Sequence, residues 1–156
     1  MTDMALSQHE PNSGSKERLR LWIRLLRVSR TIESELRLRL KSQFDMTLPR
    51  FDVMAALNRK SEGLLMSDLS RFLLVSNGNV TVIVDRLVTD GLVVRSSREG
   101  DRRTSIVKLT DAGLLLFKQI ATEHEKWVGE LLSGIGEDDA RQLAAMLKSF
   151  HSNWET

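Results

Sequence analysis

Apolar and polar positions follow two periods along this chain, and the change from one to the other marks out its elements. From residue 16 to about 44 the spacing is helical, with Trp22, Leu25, Leu26, Ile32, Leu36 and Leu40 on one side of the wheel and no Gly or Pro between them. A break over 45–47 precedes a second helix over 49–60. There Pro49 suits a first-turn position, and Phe51, Val53, Met54 and Leu57 form the face to be buried. Residues 61–63 read as a turn and 64–66 as a short strand. Two short helices come next. One has Ser67 as N-cap and runs to about 74; the other has Ser76 as N-cap and runs to 90, closed by Gly91 in the left-handed conformation and by the apolar Leu92. A two-stranded hairpin follows, its tip carrying Glu99-Gly100-Asp101-Arg102-Arg103. Thr110, with Asp111 behind it, caps a long helix over 111–132 that carries Leu115, Leu116, Ile120, Trp127, Val128 and Leu131. Gly134 and Gly136 stop that helix, and a last one starts at 137–139 and runs through Leu143, Ala144, Leu147, Phe150 and Trp154. Residues 1–15 contain Pro11 and Gly14, have no period, and read as a disordered arm.

This order predicts a mostly helical α+β fold, with 16–156 as a single domain. Two short helices followed by a hairpin make a winged helix-turn-helix over 48–110. The flanking helices, 16–44 and 111–156, are more apolar than one small subunit can bury, and they are expected to join two copies as a homodimer. On the second short helix Val80, Ile83, Val84, Leu87 and Val88 share one face. The opposite face carries Gly78, Asn79, Thr81, Val82, Asp85, Arg86 and Thr89. An isolated valine among small polar residues suits a surface that reads base edges: Asn pairs with adenine, Thr with several partners, and valine touches a thymine methyl. Asn77, Asn79, Thr81 and Val82 are therefore the candidate base contacts. Ser67 and Ser76, at helix N-termini, are candidates for presenting backbone amides to phosphates. Arg86 has two readings, an ion pair inside the helix or a brace to the wing. At the wing tip Arg102 and Arg103 suit the negative potential of a narrow minor groove, against the alternative of a merely solvated hairpin.

Composition narrows the function classes. The chain has 156 residues and no cysteine, which excludes disulfides, thiolate metal sites and thiol redox sensing. His9, His124 and His151 lack the spacing of a metal site, and no nucleophile elbow, P-loop or paired-carboxylate pattern is present, so neither metal, cofactor nor catalysis is expected. No apolar run approaches the roughly 18 residues of a membrane span, and no signal peptide is visible, so a cytoplasmic location with no membrane partner is expected. The net charge of +2 hides an uneven distribution. Residues 16–41 hold nine Lys or Arg against Glu17, Glu33 and Glu35. Lys16, Arg20, Arg24, Arg27, Arg30, Arg37 and Lys41 fall within an arc of roughly 140° on the first helix. A solvated face is the plain reading of this stripe. Arginine favours bidentate anion partners, so a polyanionic ligand or DNA flanking an operator is the other.

The runs Leu73-Leu74-Val75-Ser76-Asn77-Gly78-Asn79-Val80-Thr81, Val84-Asp85-Arg86-Leu87, Asp90-Gly91-Leu92-Val93, and Asp101-Arg102-Arg103 leading to Leu109-Thr110 resemble the MarR family of bacterial transcriptional regulators. The resemblance extends over about residues 19–150. It implies a homodimer with one winged helix-turn-helix per subunit on double-stranded DNA, regulated by a small ligand or by oxidation; with no cysteine, the peroxide-sensing branch is excluded. It also implies that Asp101 fixes the wing, that Arg103 reaches the groove, with Arg102 an equal candidate, and that Arg86 supports the wing. The family's ligand cleft lies between the first, second and fifth helices, which makes Trp22, Leu26, Phe44, Phe51, Met54, His124 and Trp127 candidate lining residues. Their plain reading is hydrophobic core. The expected function is a repressor released from a pseudo-palindromic operator by a small organic anion. An aromatic acid is one candidate; its acyl-coenzyme A thioester is another, with phosphates meeting Arg27 and Arg30. The alternatives are an activator, a ligand-independent regulator, or a winged-helix protein-interaction module without DNA binding.

Overall fold

The computed structural model describes residues 13–73, 77–97 and 104–152. Their order is α1 (Ser13–Phe44), α2 (Leu48–Asn58), β1 (Leu64–Leu65), α3 (Met66–Phe72), α4 (Asn77–Thr89), β2 (Val93–Ser96), β3 (Ile106–Leu109), α5 (Asp111–Leu131) and α6 (Glu137–Ser152). This is the mostly helical, winged helix-turn-helix arrangement that the periodicity predicts. The chain divides into two compact units between Glu35 and Leu36, inside α1. In the N-terminal unit the helix begins at Ser13, so three residues expected in a disordered arm are helical; residues 1–12 of that arm lie outside the described residues. No described helix is long and apolar enough to cross a membrane.

The C-terminal unit is organised around α2. The last turn of α1 closes on Asp45, at φ 49°, with the Asp45 N–H donating to the Lys41 carbonyl and the Met46 N–H to the Leu40 carbonyl. This left-handed closure turns the chain sharply and buries Met46. Thr47 then caps α2, its hydroxyl accepting from the Arg50 N–H, and Pro49 occupies the first turn. The four residues assigned to the buried face, Phe51, Val53, Met54 and Leu57, are all buried. Each such side chain contributes about 1.5–3 kcal/mol relative to exposure. The helix ends at Asn58, two residues short of the expected limit.

Gly63, at φ 93°, turns the chain into β1 where an added Cβ would lie 2.6 Å from the Ile106 side chain and 2.8 Å from the Val107 carbonyl. β1 therefore lies directly against β3, and the three strands form one antiparallel sheet in the order β1-β3-β2. Leu64 faces Val107, and Val93 faces Leu109. The expected cap at Ser67 is corrected here: the N-cap of α3 is Leu65, with no side-chain hydrogen bond, and Ser67 lies inside the helix. Strand pairing replaces the cap, because the Met66 N–H donates to the Ser105 carbonyl and carries the chain straight from strand to helix. α3 also stops at Phe72, short of about 74.

The end of α4 follows the expected design. The Gly91 N–H donates to the Val88 carbonyl and the Leu92 N–H to the Leu87 carbonyl, with Gly91 at φ 74°. Val80, Val84 and Leu87 are fully buried, whereas Val88, placed on the same face by the helical wheel, is 40% exposed. Thr110 caps α5 by accepting from the Gly113 N–H. Its buried stripe is Gly113, Phe117, Ile120 and Trp127. Leu115, one of the apolar residues this helix carries, is exposed, because it lies about half a turn of the wheel away from that stripe. On α6, Leu143, Met146, Leu147 and Phe150 are exposed; Trp154 lies outside the described residues.

Candidate nucleic-acid interface

The surface of α4 is where most of the described candidate residues for DNA converge. With Val80, Val84 and Leu87 turned into the core, helical geometry directs Asn79, Val82, Asp85, Arg86 and Thr89 outward, and all five are exposed. Val82 is 70% exposed, on a helix whose other face is packed at Val80, Val84 and Leu87. Thr81 is half-buried beside it. Asn77 is the first residue of α4, its side chain outside the described residues; Ser76, Asp101, Arg102 and Arg103 also lie outside them. Ser67 is exposed on α3, in its first turn.

Two ion-pair systems fix α4 in place. Asp85 accepts from Arg95 on β2 at 3.3 Å, which ties the helix to the wing strand. Arg86, read either as an ion pair inside the helix or as a brace to the wing, donates to Asp90 at 3.3 Å at its own helix end. Among the described residues, the brace is therefore made by Asp85, one position earlier. Asp90 also accepts from Arg50 of α2 at 3.3 Å, the more buried contact of the two. A partly buried, shared carboxylate couples more strongly than an exposed pair.

The ligand candidates fall into two groups. Phe44, Phe51, Met54, His124 and Trp127 lie in the C-terminal unit, Phe44 and His124 half-buried. The Phe44 and Trp127 rings lie 6.2 Å apart, Phe51 and His124 5.0 Å, and Phe51 stacks on Phe117 at 5.6 Å. Phe51, Met54 and Trp127 are buried. Burial holds the His124 imidazole below its ordinary pKa of 6.5, so it is neutral at physiological pH. Trp22, Leu26, Arg27 and Arg30 belong to the N-terminal unit, where Trp22, Arg27 and Arg30 are exposed and Leu26 is half-buried.

Three contributors were not anticipated. Phe117 completes the aromatic cluster; it falls on the stripe defined by Ile120 and Trp127, a signal available from spacing. Arg95 was hidden because its role depends on the register of β2 against α4. Arg50 was hidden because its partners lie five residues before it and forty residues after it.

Comparison with known proteins bears on this site. A model of the MarR family matches residues 44–104, which include α2, α3, α4 and the first wing strand. The HTH-type transcriptional regulator PecS of Dickeya dadantii is 31% identical over 108 residues, 68% of this chain and 65% of that protein, so the match spans a little under two thirds of that relative. The crystal structure of a mutant MarR from E. coli complexed with operator DNA superimposes with a TM-score of 0.74 at 27% identity, over 86% of this chain and 95% of that one. A MarR family transcriptional regulator from Silicibacter pomeroyi superimposes with a TM-score of 0.78 at 35% identity, over 92% of this chain and 99% of that one. Similarity of that extent, over the elements that build the α4 surface, means that this chain belongs to the MarR family of transcriptional regulators.

Proposed function

We propose that the protein is a DNA-binding transcriptional regulator that reads the major groove with α4 and the minor groove with Arg102 or Arg103 at the wing tip. The observation that carries the proposal is the exposed Val82 flanked by Asn79 and Thr81, on a helix whose other face is core and whose C-terminal half is held by ion pairs. A groove-reading helix needs small polar groups and one apolar contact on its outer face, and a rigid frame behind it. The complex of a MarR relative with operator DNA supports the same reading. Arg86, with its Asp90 partner, stays at the edge of this surface, and the first-turn amides of α3 beside Ser67 are candidates for a phosphate. In this proposal residues 16–156 work as one functional domain and pair as a homodimer through α1, α5 and α6. Two-fold symmetry then calls for a pseudo-palindromic operator with half-sites about 10 bp apart or a multiple of that. The exposed Leu143, Met146, Leu147 and Phe150 of α6 support a partner surface.

The regulation proposed is repression relieved by a small organic anion. The basic stripe of α1 suits an anion with several phosphates, and the candidates are an aromatic acid or, better, its acyl-coenzyme A thioester, whose phosphates require several cations. Release needs a few kcal/mol of differential affinity between the bound and free states. The experiment is a fluorescence-anisotropy assay on a duplex selected by the protein from a random library, challenged with benzoate and with benzoyl-coenzyme A. Release by the thioester at the lower concentration, weakened in Arg27→Ala and Arg30→Ala, is the expected result. Binding without release by either compound favours a regulator independent of these anions; selection of no duplex favours a protein-interaction module.

A further inference from the structure

Two charges in the C-terminal unit stand at the unfavourable ends of their helices. Arg50 is the third residue of α2, near the positive end of the helix dipole, and Asp90 follows the last residue of α4, at the negative end. Local helix stability favours an acid at the first position and a base at the second. A residue type that opposes its own helix is retained for something beyond that helix.

The contacts of Arg50 say what that is. Its Nη1 donates to Oδ2 of Asp90 at 3.3 Å, its Nη2 to the Asp45 carbonyl at 3.2 Å, and its Nε to the Thr47 hydroxyl at 3.1 Å. Asp45 is the left-handed residue that closes α1, Thr47 is the N-cap of α2, and Asp90 ends α4. One side chain, only 13% exposed, therefore holds three helix ends together. The same Asp90 oxygen accepts from Nε of Arg86 at 3.3 Å, so the contacts continue to the outer surface of α4.

We propose that Arg50 is a positioning residue that sets the angle of α4 against the corner between α1 and α2, and that passes movements of this corner to the DNA-reading surface through Asp90 and Arg86; the inference rests on the reading that α4 contacts DNA. A guanidinium is a rigid planar fork, and it keeps its bonds to Asp45 and Asp90 together only while the two helix ends hold one spacing. Displacement of the corner breaks one arm of the fork and loosens α4. A lysine or a simple ion pair at these positions would satisfy charge without fixing that spacing.

The test uses the full chain, a duplex selected from a random library by the wild-type protein, and thermal melting of every variant. Arg50→Gln and Asp90→Asn are each expected to lower affinity about tenfold while remaining folded at the assay temperature, within the usual range for coupled sites. The decisive variant is the exchange Arg50→Asp with Asp90→Arg. It restores an ion pair and places both charges at the favourable helix ends, at the cost of the Asp90–Arg86 bond, so its melting temperature should recover most of what Arg50→Gln loses. It removes the fork to Asp45 and Thr47, so affinity should stay low. Hydrogen exchange supplies a second signature: DNA should slow exchange at the Asp45 and Met46 amides in wild type and not in Arg50→Gln. Recovery of affinity in the exchange variant, or wild-type affinity in Arg50→Gln, reduces the contact to an ordinary ion pair and overturns the proposal. If the wild-type protein selects no duplex, the DNA reading fails, and this inference fails with it for that separate reason.

Discussion

His124 shows how one residue can be legible in type and misleading in role. It has no histidine partner at metal-ligand spacing in the sequence, and in the fold its ring packs 5.0 Å from that of Phe51. Burial lowers its pKa from 6.5, so between the lowered value and 6.5 the unfolded chain binds a proton that the folded chain refuses. The stability associated with neutral His124 is therefore complete above 6.5 and is lost as pH falls from 6.5 toward the folded value. Asp45 acts in a separate window: its hydrogen bond and charge interaction with Lys41 hold its pKa below 3.8, so its contribution fades only in stronger acid. The melting temperature of wild type should accordingly drop between pH 7 and 5 more than that of His124→Phe. Parallel pH profiles for the two proteins would remove burial of the imidazole as the cause. Ser67 is the opposite case, a good capping residue by type that caps nothing, because pairing of β1 with β3 decides where α3 begins.

At the scale of elements, nearly every helix and strand was legible, since hydrophobic period and cap chemistry are local. The buried face of α2, the Gly91 closure of α4 and the Thr110 cap of α5 are each written in a few adjacent residues. What was not legible is where elements touch. Gly113 looks like a flaw in a long helix, yet an added Cβ there would lie 2.0 Å from the Leu92 carbonyl oxygen, the same oxygen that accepts the Thr110 N–H. Only a glycine lets the first turn of α5 approach the end of α4 so closely. Gly113→Ala should destabilise the fold by about 1–3 kcal/mol, as overpacking does. Gly129→Ala, in the same helix with nothing within 4 Å of the added Cβ, should stabilise it by about 0.5–1 kcal/mol. Urea denaturation of the two variants checks both; equal effects would mean that the Gly113 contact relaxes at little cost. The three-way bonding of Arg50 was hidden for the same reason, although its sign at the start of α2 is visible once the helix is placed.

For the molecule as a whole, the proposed DNA-reading surface is α4. The strongest basic segment is in α1 rather than in the helix-turn-helix and wing, where residues 67–110 hold seven basic against five acidic side chains. Affinity from this region must then come from placed contacts more than from bulk charge, and single substitutions on the reading surface should matter. The most direct measurement is the affinity for a selected duplex at two salt concentrations, for wild type, Val82→Asp and the pair Arg102→Ala with Arg103→Ala. Val82 is exposed, so Val82→Asp should leave the melting temperature unchanged while placing a carboxylate against the groove. Wild-type binding should weaken steeply with salt, by a log–log slope of about −0.9 for each phosphate contacted. Binding should lose about 1–3 kcal/mol where a wing arginine makes a specific contact, and should be nearly abolished in Val82→Asp. Wild-type binding that is indifferent to salt, or Val82→Asp binding as tightly as wild type, would contradict DNA reading by α4.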